Sequence, residues 1–194
     1  SAFKTLFTLN RDIFIRTMCL TLTLASFILL GTRFGTEILA ANAVLMNLQN
    51  LTAYGLDGFA QAAEVLVGKQ IGKKSVANLR KAVIISSKWA VYTAFIFSGF
   101  YYLFGEAIIN LLTNIETIRT ISNEYLIWVI ILPLLSIWSF QLDGIFIGAT
   151  AGSSMRNGMI ISAICYIISI LVFMPLWGNN GLWFSYALFI VMRA

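Results

Sequence analysis

The chain has 194 residues, of which 59% are hydrophobic and 11% charged, with a formal net charge of +5. Soluble domains carry roughly 45–50% apolar and about 25% charged residues, and so few charges cannot cover a water-facing surface of this size. An ordinary soluble enzyme, a nucleic-acid module and a disordered tail are thereby excluded, which leaves an integral membrane protein. The chain lacks an initiator Met and stops inside an apolar run, so a piece of a longer protein is expected.

A bilayer-spanning helix needs about 20 mainly apolar residues. Six candidates follow in chain order: Ile13–Gly31, Ile38–Val67, Ala82–Phe104, Tyr125–Thr150, Met159–Trp177 and Leu182–Ala194. The fold class is therefore all-α, a polytopic bundle of six helices over residues 13–194. The sixth segment reaches only about 20 Å at 1.5 Å per residue, short of a full span. Residues 1–12 read as a cytoplasmic interfacial linker carrying Phe3, Leu6 and Phe7 with Lys4 and Arg11. It is expected to enter the first span through a turn at Asn10-Arg11-Asp12.

Alternation of six spans sorts the charges. Lys4, Arg11, Arg16, Lys69, Lys73, Lys74, Arg80, Lys81, Lys88, Arg156 and Arg193 fall on one side, eleven of the thirteen basic residues. The other side holds Arg33 and Arg119 against Glu37, Glu106, Glu116 and Glu124. The positive-inside rule then places both ends in the cytoplasm, and the net charge is an orientation mark that implies no nucleic-acid partner. Tyr101, Tyr102, Tyr125, Trp128, Trp177 and Trp183 fall near the outer ends, where amphipathic rings prefer the interface, and Trp89 does the same on the inner side. Cys19 and Cys165 lie within apolar segments and read as small packing residues. His is absent, and neither a phosphate loop, a nucleophile–base set nor a zinc signature occurs, so no catalytic residues, metal site or cofactor are expected.

The second segment is too polar for lipid. Asn47, Asn50, Tyr54, Asp57, Gln61 and Glu64 are spaced 3, 4, 3, 4, 3, which places them on one stripe about 100° wide. A carboxylate at a helix centre costs at least about 2.5–3.5 kcal/mol in lipid, so the stripe faces a water-filled cavity or other helices. A buried seam joining helices is one reading of the amides. For Asp57 and Glu64 an ion or substrate path is favoured. Burial disfavours an ionised carboxyl and an opening to water restores it, which lets a proton be loaded and released.

The fourth segment carries Ser136, Trp138, Ser139, Gln141 and Asp143 below Pro133, which removes a backbone bond and is expected to kink the helix. Gly144, Gly148 and Gly152 follow at four-residue intervals and suit close helix packing. Asp143 reads equally as functional or as a structural anchor. Arg16, one turn inside the first span, either snorkels to the headgroups or pairs with an acid on a neighbouring helix, Asp143 or Glu64. Leu56-Asp57-Gly58-Phe59 is echoed by Leu142-Asp143-Gly144-Ile145-Phe146, too short to count as a repeat.

Ala41-Asn42-Ala43-Val44-Leu45-Met46, Ala53 to Glu64 and Gly68-Lys69-Gln70-Ile71-Gly72 together resemble the eighth helix of the DinF-like branch of MATE (multidrug and toxin extrusion) transporters. Asn10 to Thr17 resembles the entry to the seventh helix, and Leu142 to Thr150 with Met155-Arg156-Asn157 is similar to the tenth. The resemblance covers the whole chain and implies the C-terminal lobe of a twelve-helix protein in the inner membrane of a bacterium, with two lobes facing each other across a cavity. It implies secondary active antiport that exports cationic or amphipathic compounds in exchange for protons or sodium. The partners would be the N-terminal lobe, the bilayer and a small amphipathic substrate. Asp143 matches the helix-ten acid of the NorM-like cation site. Thr17 to Thr21 contains no carboxylate, so the helix-seven acid of that site has no counterpart. In the DinF-like branch the coupling acid is attributed mainly to the N-terminal lobe. The expected cavity and coupling residues are Asp57, Glu64, Asp143, Asn47, Asn50, Tyr54, Gln61, Gln141 and Arg16.

Three rivals remain at this level. A flippase for lipid or polysaccharide intermediates would need dense Lys/Arg in the cavity, whereas the embedded charges are mainly acidic. An intramembrane aspartyl protease would show Tyr-Asp and Gly-x-Gly-Asp motifs, but Leu56 and Leu142 precede the two acids. A purely structural half would leave all coupling to the other lobe.

Overall fold

The computed structural model describes the backbone of residues 2–194 and the side chains of residues 7, 8 and 10–194. Phe3, Lys4 and Leu6 of the expected interfacial segment therefore lie outside the described side chains. Six α-helices occur among the described residues: α1 (Ala2–Gly31), α2 (Thr36–Gly72), α3 (Val76–Leu112), α4 (Glu116–Gly148), α5 (Gly152–Trp177) and α6 (Asn179–Met192). All six predicted segments are helical, and each of the six helices overruns its apolar stretch at one or both ends, because backbone hydrogen bonding continues beyond the region that lipid demands. The turn expected at Asn10-Arg11-Asp12 is not formed. Nothing there breaks a helix, and α1 runs through it.

Cross-helix ties fix the directions. Asp12 meets Arg156 and Ser26 meets Tyr166, so α1 and α5 run parallel. Ser139 donates to the Ile190 carbonyl and Arg193 reaches Asp143, so α4 and α6 are parallel too. Thr52 on α2 bonds Tyr101 on α3, and Gly55 abuts Phe97, so that pair is antiparallel. The bundle thus alternates up and down, with both termini and the Lys/Arg-rich connections at one end.

Among the described residues four helical segments are long and apolar enough to cross a membrane: Asn10–Phe34, Val76–Leu112, Glu116–Gly148 and Gly152–Trp177. At 37 residues α2 has the length but is too polar, and α6 is too short. Its 14 residues, about 21 Å at 1.5 Å per residue, are apolar nearly all round and accordingly buried among the others. Trp183 and Phe189 of α6 sit in the core with Phe27, Leu45, Tyr101, Leu132 and Tyr166.

α2 packs most extensively on α4, and glycine allows it. A Cβ on Gly144 would fall on the Ala60 carbonyl group, and one on Gly148 would stand 2.5 Å from the Glu64 carbonyl oxygen. Gly152 does not continue this face; it opens α5 after the 149–151 connection. α4 continues uninterrupted through Pro133. The α5–α6 connection is Gly178 alone, at φ +56°, ψ −130°, a conformation that favours glycine.

Several polar and aromatic residues turn inward where the sequence pointed them to the interface. Trp183 is fully buried and donates to Asn42 Oδ1 at 2.9 Å. Tyr101 is fully buried and donates to the Leu48 carbonyl at 2.8 Å. Tyr125 is buried as well, whereas Tyr102 and Trp177 are exposed. Asn42 and Asn179 exchange hydrogen bonds of 2.7 and 3.0 Å, which ties α2 to α6. Asn42→Leu leaves the Trp183 N–H buried without its acceptor and takes from the Asn179 amide both of its bonds to Asn42. It is expected to cost about 1–3 kcal/mol, read as a lowered thermal midpoint of the full-length protein in detergent.

Candidate functional site

Where α1, α2, α4 and α6 meet, a cavity of about 290 Å³ opens. It exists because α2 presents its polar stripe here while the glycine contacts hold the adjoining backbone of Ala60 and Glu64 against α4. Asn50, Asp57, Gln61 and Glu64 of the stripe line it, together with Gln49, Arg16, Ser139, Asp143, Tyr186 and Arg193. Asp57 is exposed and accepts a hydrogen bond of 3.0 Å from Gln61 Nε2, one turn on. Glu64 is half-buried, at the level where the Gly148 backbone touches α2.

Not every candidate joins this group. Asn47 lines a neighbouring apolar groove of about 270 Å³ instead. Tyr54, 78% exposed, lines neither. Gln141 is buried on the other side of α4 and donates to Ser86 Oγ on α3 at 2.7 Å. Its environment is that of a helix-joining amide.

Asp143 and Arg16, left open by the sequence, meet. Arg16 and Arg193 both donate through Nη2 to Asp143 Oδ2, the second at 2.7 Å. The pairing is inward and does not take the form of snorkelling, since the Arg16 side chain is only 16% exposed, Asp143 14% and Arg193 8%. Arg193 also sits over the Phe140 ring at 5.4 Å and caps the C-terminal end of α6, where a cation is favoured by the helix dipole. Two guanidiniums share one carboxylate, so the cluster keeps one positive charge. The Nε groups of Arg16 and Arg193 are buried without hydrogen-bond partners among the described residues. Asp57 and Glu64 line the same cavity and take part in no ion pair among the described residues.

Two charged residues of consequence were not singled out from sequence. Arg193 counted only as a topological charge, although its place at the end of the last apolar run puts it near the acid of a parallel helix. Asp12, 2% exposed, pairs with Arg156 at 2.7 Å and Arg11 at 3.1 Å and ties α1 to α5. Its signal was the four-residue spacing to Arg16, which shares its helix face once α1 is continuous.

Known proteins agree with this architecture. The MatE family model matches residues 13–174. The chain is 40% identical to DNA damage-inducible protein F of Escherichia coli over 191 residues, 98% of the chain and 41% of that protein. It is 24% identical to a probable multidrug resistance protein NorM of Bacillus cereus over 165 residues, 82% of the chain and 36% of that protein. A MOP superfamily transporter from Pyrococcus furiosus superposes with a TM-score of 0.89 at 14% identity, over 98% of the chain and 42% of that one. The chain thus spans about two fifths of the length of these relatives. The family comprises transporters and not enzymes. An all-α bundle with spanning helices, a polar stripe turned into a shared cavity and a family match over most of its length is a multi-pass membrane protein belonging to the MatE family.

Proposed function

We propose that the chain is the C-terminal lobe of a secondary active antiporter that exports cationic or amphipathic compounds in exchange for protons or sodium. The observation that carries this reading is the acidic face of α2, Asp57 and Glu64, which takes part in no ion pair among the described residues and lines a cavity within a largely apolar lobe. Three carboxylates against two guanidiniums leave the cavity lining acidic, which suits a cation. Asp143 is neutralised by its arginines and serves as a fixed anion; the protonation that drives exchange falls on Asp57 and Glu64. Both ends of the chain face the cytoplasm of a bacterium, the N-terminal lobe closes the cavity from the opposite side, and rocking of the lobes moves the cargo.

A flippase for lipid or polysaccharide intermediates is the second reading. Arg16 and Arg193 in the cavity wall favour it, because they are what an anionic cargo would contact. The binding pocket of the Pyrococcus furiosus transporter is itself described as reversed in polarity, suggesting a different function for that protein. Here both arginines are already engaged by Asp143, which weakens this reading.

Export of a fluorescent organic cation from proteoliposomes holding the full-length protein tests the proposal under imposed proton and sodium gradients. One of the two gradients is expected to drive export. Asp57→Asn removes a charged contact worth about 1.5–3 kcal/mol, so export is expected to fall about ten- to a hundredfold. The thermal midpoint is expected to stay unchanged, because Asp57 is exposed and its hydrogen bond is to Gln61, an exposed residue of the same helix. Full export in both Asp57→Asn and Glu64→Gln would remove this site from the mechanism.

A further inference from the structure

The charged cavity does not end at Asn50. Leu24 and Asn50 also line the second, 270 Å³ groove, which runs between α1 and α2 away from the charged end. Its origin is plain in the packing. α1 and α2 approach at their connection, where Gly31 faces Leu39 and Asn42, and then diverge with little further contact. Phe27, Ile28, Leu39 and Met46 form the walls, Asn47 and Asn50 add exposed amides, and among the described residues no charged one lines the groove. Asn42 adds no free polar group, since its amide is spent on Asn179 and Trp183. The two compartments thus adjoin at Leu24 and Asn50, are similar in volume and differ in chemistry, one charged and the other mainly apolar.

We propose that this α1–α2 groove is a hydrocarbon subsite, taking the tail of a monocationic amphiphile whose head group rests against Asp57 and Gln61. The proposal rests on the transport reading above and names the shape of the cargo. Asp57 lies seven residues beyond Asn50 and eleven beyond Met46, which at 1.5 Å per residue is about 10 Å to the groove mouth and about 16 Å to its interior. A compact cation therefore touches only the charged compartment, while a long-tailed one bridges both. Charge complementarity selects this occupant over a membrane phospholipid. The groove opens on the face that carries Asn47, Asn50, Asp57 and Gln61, where a phosphate head group would meet the Asp57 carboxylate.

Calorimetric titration of the full-length protein in nanodiscs, with empty nanodiscs as baseline, separates the two compartments. The probes are tetramethylammonium and decyltrimethylammonium. Each buried methylene strengthens binding about fourfold, so a tail seated over even half its length, about five methylenes, gives a gain on the order of a thousandfold. Ala43 is exposed on the groove wall, and Ala43→Phe fills the space with an apolar side chain. It is expected to cut the gain from the tail to about tenfold or less while tetramethylammonium binds as before. Ile28→Ser, which makes the wall polar at an exposed position, is expected to lower the gain in the same direction. An undiminished gain in both variants overturns the subsite, and so does a wild-type protein that binds tetramethylammonium with no benefit from the tail, as when the other lobe or lipid fills the groove. A wild-type protein that binds neither cation overturns the transport reading as well.

Discussion

Asp143→Asn is expected to destabilise the lobe by about 3–5 kcal/mol, the usual cost of removing one partner from a buried charge cluster. The carboxylate is the common acceptor of Arg16 and Arg193, whose side chains are 16% and 8% exposed. Without it, two guanidiniums on α1 and α6 face each other without the carboxylate that pairs them and with their Nε groups already lacking partners among the described residues. The loss is read as a lowered thermal midpoint and a reduced yield of the full-length protein. Removing one of the two cations in the same background, as Arg16→Gln with Asp143→Asn, is expected to recover part of the stability because it relieves the repulsion. Asp57→Asn is the contrasting case, with transport impaired and stability intact. If Asp143→Asn instead unfolds at the wild-type temperature while export is abolished, Asp143 is a coupling group and its role as an anchor is refuted.

Gly144→Val is expected to be at least as damaging, at or above the upper end of the roughly 1–3 kcal/mol typical of overpacking. The obstacle is backbone. A Cβ at this position lands on the Ala60 carbonyl group, and no rotamer change moves a carbonyl out of the way. α2 and α4 would have to separate along the most extensive interface in the bundle, and the stripe carrying Asp57 and Glu64 would shift with α2. The control is Gly58→Ala on α2, where an added Cβ meets nothing within 4 Å. A stability change within about 0.5–1 kcal/mol is expected there, in the favourable direction, since alanine suits a helix interior better than glycine. Thermal unfolding of both variants in detergent distinguishes a packing requirement from a general intolerance of substitution.

Much of the site could be read from residue spacing. The period of Asn50, Asp57, Gln61 and Glu64 placed them on one face of α2, and they do line one cavity. The same period placed Asn47 and Tyr54 there as well, and these lie beside the cavity, because a stripe 100° wide spans more surface than one cavity wall. Gln141 was grouped with Asp143 through its place in a polar run. Two residues apart on a helix point roughly 200° apart, and Gln141 turns to Ser86 on α3 while Asp143 turns to α1 and α6.

By itself the sequence determined the class of protein, the six helices and the side on which the basic residues collect. These follow from the cost of placing charge and unpaired backbone in lipid, a cost that acts residue by residue along the chain. It also determined that α2 carries a face lipid would reject. Only the tertiary structure decided what meets that face and which polar groups bind helices together. Arg16 and Asp143 are 127 residues apart and Asn42 and Trp183 are 141 apart, and periodicity gives the direction of a side chain about its own helix, never the identity of the neighbour that lies there. For the same reason the inward turn of Tyr101 and Trp183, and the splaying of α1 from α2 that opens the apolar groove, emerge only once six helices compete for the same interior.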